Sequence, residues 1–211
     1  MIRLAVTLLC TLLPLMAWAQ STPAPPSKAL LASLKAKAES VDHLTCTFTQ
    51  EKHLAMFDEL LISTGTFSFQ KPDKLRWEYL EPFNNGFFLN GTSGREWDDA
   101  SSKDREFTLD SSPAMAALAR QIMAWTTFDI KWLESQYEMV VLQTEPVIFE
   151  LTPKDEGARQ FIPRMIIKFV PDGSALEQIE LHEADDDFTR VIFGTPEVNG
   201  NLPATTFTQV Q

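Results

Sequence analysis

The sequence predicts an α+β fold built on one large, curved antiparallel sheet, and three observations carry that reading. From Leu44 onward, large apolar residues alternate with polar ones at a period of two in one short run after another. Turn residues separate the runs, among them Lys71-Pro72-Asp73, Asn90-Gly91 and Pro171-Asp172-Gly173. The period lengthens to that of a helix only near residues 28–41 and 113–123, so helices interrupt the strands and do not alternate with them.

Arg3 precedes an apolar run from Leu4 to Leu15, and Ala17-Trp18-Ala19 places small residues where a signal peptidase needs them. Residues 1–19 are expected to be a cleaved secretory signal, too short to span a bilayer as a helix. Leu9 stands before Cys10 in place of a small residue, so no lipid anchor is expected there. Residues 20–27, rich in proline and small polar residues, read as a disordered leader, and 28–211 as a single domain. Ser27 is a fair N-cap for a helix whose stripe is Leu30, Leu31, Leu34, Ala38 and Val41.

Leu44, Cys46 and Phe48 then alternate with threonines in a strand ending near Lys52. A second strand runs from about Leu60 to Phe69, putting Phe67 and Phe69 on one face. Pro72 lacks a ladder N–H and turns the chain. In the strand after it Leu75, Trp77 and Tyr79 share the face of the two phenylalanines, while Arg76 and Glu78 point the other way and read as a surface pair. So much aromatic surface calls for either a packed core or a ligand, and alternation alone does not choose between them.

Short strands at Phe87–Leu89, around Glu96-Trp97 and at Phe107–Leu109 complete the first run. Ser111-Ser112-Pro113 then signals a helix by serine caps and proline at its first position, with Met115, Leu118, Ala119, Ile122 and Met123 on one stripe. Residues 125–133 fit either a short second helix or a loop. Strands return at Met139–Leu142, Val147–Leu151, Met165–Val170, Ala175–Leu181 and Arg190–Phe193, with a last one read at Thr206–Val210 and a turn from Pro153 to Gly157.

A formal net charge of −11 argues against nucleic acid or an anionic membrane surface as partner. His43, His53 and His182 lack metal-ligand spacing, no Gly-x-Ser-x-Gly elbow occurs, and Cys46 has no activating neighbour in sequence. Neither an enzyme nor a cofactor or metal site is expected. With Cys10 removed, Cys46 is the one mature cysteine; it is expected to be buried and inert, the alternative being a dimer or redox handle. Asp185-Asp186-Asp187 reads as a solvated turn, since the glycine and glutamate of a calcium loop are missing.

Phe48-Thr49-Gln50, Gly65-x-Phe-x-Phe-x-Lys-Pro running into Leu75-Arg76-Trp77, Pro82, Asn90-Gly91, Trp97 and the Ser112-Pro113 helix follow one another in an order that resembles the LolA family, periplasmic carriers of outer-membrane lipoproteins. The resemblance extends from about residue 41 to 125. It implies an unclosed, strongly curved antiparallel β-barrel with helices as a lid over its concave face, and a cavity between them for acyl chains. On that reading Phe67, Phe69, Leu75, Trp77, Tyr79, Phe87 and Leu89 form the sheet wall, and Met115, Leu118, Ile122 and Met123 the lid. The resemblance further implies an inner-membrane release complex and an outer-membrane acceptor as partners, and a monomer is the expected state. Lys71 stands where family members carry an arginine that bonds the lid shut, so it is expected to be the lid latch, as a point charge without arginine's planar fork. That substitution, the polar segment after Gly91 and the acidic run at Asp185 also leave room for a paralogue that binds another amphiphile or acts as a lipid or lipoprotein sensor.

Overall fold

The structure, a computed structural model, describes residues 24–57 and 59–210. The expected signal, residues 1–19, lies outside them, as do residues 20–23 of the leader. Period-two alternation produces β1 (His43–His53), β2 (Leu61–Gln70), β3 (Lys74–Glu81), β4 (Asn85–Asn90), β5 (Ser93–Asp98) and β6 (Lys103–Thr108). After α2 (Pro113–Thr126) and α3 (Ile130–Gln136) come β7 (Tyr137–Thr144), β8 (Val147–Pro153), β9 (Arg164–Phe169), β10 (Leu176–His182), β11 (Phe188–Phe193) and the two-residue β12 (Glu197–Val198). Helix α1 (Lys28–Glu39) precedes the strands, and α4 (Glu156–Phe161) follows β8.

All twelve strands form one antiparallel sheet in the order β6-β5-β4-β3-β2-β1-β11-β10-β9-β8-β7, with β12 also on β1. Strands β6 and β7 are its two edges and do not pair with each other, so the barrel stays unclosed. The chain passes from one edge to the other through α2 and α3, which carries these helices across the concave side. Ala119 and Ile122 of α2 pack with the inner face of β1–β6, including Phe48, Phe67, Phe69, Leu75 and Leu89. Ala124, Phe128 and Leu133 pack with the inner face of β7–β9 and with Leu31, Leu34 and Ala38 of α1. Each large apolar side chain so buried contributes about 1.5–3 kcal/mol.

Close approach of chains sets the curvature at Gly65. A Cβ there would collide with the Glu78 carbonyl oxygen and with the ring of Phe48, which stands over the glycine and packs edge-on against Tyr79 at a centroid distance of 5.2 Å. Register follows the expected faces: Phe67 lies opposite Trp77, and Phe69 opposite Leu75.

Several expectations are corrected. Arg76 and Glu78 are not a surface pair: they are 3 % and 4 % exposed. Arg76 Nε and Nη2 donate to the two Glu78 oxygens at 2.9 Å each. The outer face expected in water is covered by the C-terminal segment, whose Thr206 and Gln209 carbonyls accept from Arg76 Nη1 at 3.1 and 2.7 Å. Residues 204–208 are therefore turns laid over the sheet and not a strand. The turn expected at Pro153–Gly157 contains the start of α4, capped by Asp155 accepting from Ala158 N at 2.7 Å; this helix buries no residue and so shows no apolar stripe. Ser112 occupies the N-cap position of α2 without a side-chain cap bond, and Pro113 alone marks that start as expected. Ser27 does cap α1, accepting from Leu30 N at 3.1 Å. At the end of the expected leader, the Ala24 carbonyl accepts from Val141 N at 2.8 Å, tying the chain to the edge strand β7.

Candidate ligand-binding cavity

Between the two halves of the core, under α2, lies a cavity of about 780 Å³. That size is within the range of pockets that enclose a small organic ligand. Trp77, Tyr79 and Phe87 reach it from β3 and β4, and Met115, Leu118 and Ile122 from α2. Phe67 lines a side pocket of about 30 Å³ that shares Trp77, Ile122 and Trp125 with the main space. Phe69, Leu75 and Leu89 do not line the main cavity; they are 1 %, 0 % and 2 % exposed in the packed core beneath it. Met123 packs on the same core from the far side of the α2 stripe.

The lining also includes residues that the alternation of the first half did not bring forward: Met165, Ile179, Leu181 and Val191 from β9, β10 and β11, and Trp125 and Tyr137. Trp125 was legible, because 115, 118, 122 and 125 continue one helical face at steps of three and four. The residues on β9–β11 alternate just as β2 and β3 do, but a period of two does not say which face of a strand turns inward.

Polar groups at the wall are mostly paired. Tyr79 donates to Gln50 Oε1 at 2.7 Å and Tyr137 to Gln121 Oε1 at 2.8 Å. Burial pushes both phenols above their ordinary range, and the hydrogen bonds oppose that shift, so both stay neutral. At the rim, Lys103 Nζ and Arg105 Nε lie 3.1 and 2.5 Å from Glu96 Oε1, an ion cluster held by charge without well-aligned hydrogen bonds. The wall is therefore mostly apolar, with charged side chains at Glu96, Asp98, Lys103 and Asp155, and suits a guest that offers surface more than charge.

Lys71 reaches α1 and not α2. Its Nζ donates to the Ala38 and Glu39 carbonyls at 3.1 and 2.8 Å, at the negative end of the α1 dipole. Lys71→Met is expected to lower unfolding free energy by about 1 kcal/mol, read from urea midpoints; an unchanged midpoint contradicts that role. Burial pushes the Cys46 thiol up to about 12, and at neutral pH it carries no thiolate to react. His43 bonds the Gly200 carbonyl, whereas His53 and His182 lie on the two strands flanking Phe188, His53 stacked on its ring and His182 paired with Glu180. Among the described residues no group of three or more His, Cys, Asp or Glu side chains is placed to hold a metal ion. In the acidic run, Asp187 Oδ1 accepts from Ala55 N at 2.7 Å and joins two loops. Among the described residues no helix is long and apolar enough to cross a membrane.

Comparison with known proteins agrees with this fold. The chain is 27% identical over 169 residues to an outer-membrane lipoprotein carrier protein of Cupriavidus pinatubonensis, covering 76% of this chain and 73% of that protein. It shares its fold with an uncharacterized conserved protein of Thermus thermophilus (TM-score 0.53, 8% identical, 86% of this chain and 92% of that one). It shares it also with a chain of the Pseudomonas aeruginosa MucA/MucB complex (TM-score 0.53, 13% identical), covering 87% of this chain and 62% of the other. The family model for the outer membrane lipoprotein carrier protein LolA matches residues 39–210, the whole sheet and both helices that cross it, and the chain belongs to the LolA family.

Proposed function

We propose that the protein is a periplasmic carrier that takes the acyl chains of a lipoprotein into the cavity at the inner membrane and passes them to an acceptor at the outer membrane. The observation that carries this reading is the cavity of about 780 Å³ walled by apolar side chains from sheet and helix. Burying one methylene is worth ~0.8 kcal/mol, so a chain of roughly sixteen carbons left in water exposes about ten kcal/mol of unfavourable surface. A wall of aromatic and methionine side chains shields that surface without fixing it by directional bonds, and methionine repacks easily between empty and loaded states. Membership of the LolA family and the carrier relative support the same cargo. No bond is made or broken in such a cycle.

Transfer needs contact at the mouth. Met56, Phe57 and Phe83 are exposed on the β1–β2 and β3–β4 loops, at the end of the sheet where Asn85 and Asp98 line the cavity. On this account those loops meet the inner- and outer-membrane partners.

Trp77, Trp97 and Trp125 line the cavity, and the Trp97 ring also packs against the Arg76 guanidinium. Adding a soluble acyl probe is expected to shift tryptophan emission, Trp77→Phe to remove part of the shift, and Trp77→Phe/Trp125→Phe to remove most of it. A saturating probe that leaves the emission of the unaltered protein unmoved counts against acyl binding.

A further inference from the structure

Strand β2 runs on past the end of its neighbour β3. Leu61, Ile62 and Ser63 lie opposite Lys52, Glu51 and Gln50 of β1, whereas pairing with β3 stops at Thr64, opposite Glu81. A bulge beside Thr64 and the missing N–H of Pro82 end that ladder. Among the described residues no other strand takes the place of β3 beside these three residues, so their N–H and C=O groups that point that way form a free edge. Sheet edges are ordinarily blunted by charge, proline or a covering segment. This one carries Leu61 and Ile62, 58 % and 57 % exposed, with Leu80 and Phe83 also exposed where β3 departs. Charge around it is one-sided. Glu59 and Glu81 flank the edge, both exposed, and among the described residues neither is in an ion pair. The cations alongside are already held: Lys52 Nζ lies 2.5 Å from Glu183 Oε1, and Arg190 reaches Glu51 and Glu180 at 3.1 and 2.8 Å.

We propose that the free edge of β2 at residues 61–63 takes a strand from a partner protein, an extended segment whose alternate aliphatic side chains are flanked by lysine or arginine. A bilayer would cover the apolar side chains but leave the ladder groups unpaired in hydrocarbon, and an anionic bilayer would be repelled. A second copy of the chain would bring Glu59 and Glu81 against their own likenesses. An added basic strand pairs the backbone, buries Leu61 and Ile62 and answers the two carboxylates together. The proposal rests on the carrier reading, in which the β1–β2 and β3–β4 loops meet membrane partners, and gives one such partner its chemistry.

The test titrates the exported protein against a dye-labelled, capped peptide, Lys-Val-Thr-Val-Thr-Lys, followed by fluorescence anisotropy. Two relatives of that peptide accompany it: one with glutamate for both lysines, and one methylated on the backbone nitrogens of two adjacent residues, so that neither of its edges pairs fully. The basic peptide is expected to bind about tenfold more tightly than either relative, the size of one or two hydrogen bonds or ion pairs. Ile62→Gln is expected to weaken it severalfold at an unchanged urea midpoint, and Glu81→Gln to cut the preference for lysine over glutamate. Equal binding of the methylated peptide overturns strand addition, equal binding of the glutamate peptide overturns the charge match, and no binding of the basic peptide overturns both. Association with vesicles of phosphatidylethanolamine and phosphatidylglycerol, or a dimer in sedimentation, that is lost in Ile62→Gln gives the edge to a bilayer or a second copy and likewise overturns the proposal. Acyl-probe emission tests the carrier reading separately, because Ile62 does not line the cavity: a shift that persists in Ile62→Gln leaves that reading standing however the peptides bind.

Discussion

Glu78→Ala is expected to lower the free energy of unfolding by about 3–5 kcal/mol, read as a fall in urea midpoint at unchanged slope. The carboxylate lies 2.9 Å from both Nε and Nη2 of Arg76, with both side chains nearly inaccessible. Alanine would leave the guanidinium buried against Trp97, whose ring centre is 4.8 Å from Arg76 Cζ, with only the Thr206 and Gln209 carbonyls to face its charge. Two dipoles do not replace a carboxylate in so dry a place. The paired change Arg76→Met/Glu78→Leu removes both charges together and is expected to recover most of the loss. A cost for Glu78→Ala below about 1 kcal/mol contradicts the buried pair and returns it to the class of solvated surface pairs.

The second large effect separates core from wall. Leu75→Ala is expected to lower stability by about 2–5 kcal/mol, because the side chain is 0 % exposed and its removal opens a hole that neighbours cannot fill. Acyl-probe affinity of the folded protein should change little, since Leu75 does not touch the main cavity. Leu118, 43 % exposed on α2, lines that cavity. Leu118→Ala is expected to leave stability within about 1 kcal/mol and to weaken probe binding severalfold. The reverse pattern, with Leu75 governing affinity and Leu118 governing stability, would put the guest on the other side of the aromatic layer.

Much of the sheet was legible because a period of two survives in residue after residue. Phe67, Phe69, Leu75, Trp77 and Tyr79 share an inner face as their spacing requires, and Met115, Leu118 and Ile122 face the sheet from a helix that starts at Pro113. Depth was not legible. Trp77 and Leu75 alternate alike, yet one lines the cavity and the other is sealed below it, because strand periodicity specifies a face and carries no information on where two packed layers part. The outer face of β3 was misread for a related reason. What buries Arg76 and Glu78 is a segment more than a hundred residues later in the chain, whose turns and carbonyls leave no apolar pattern. The family resemblance implied a lid latch at Lys71, and nothing in the local sequence indicated that its carbonyl partners lie on α1. Gln121 stood unmarked within the helix, since a polar residue beside an apolar stripe is ordinarily solvated.

Native mass spectrometry of protein recovered from the periplasm under gentle conditions tests the central claim most directly. The account predicts a population carrying the added mass of a lipoprotein or acyl lipid, with that mass lost when Leu118 and Ile122 are enlarged to fill the space beneath α2. Protein that emerges empty in every preparation, from cells that are making lipoproteins normally, would contradict it.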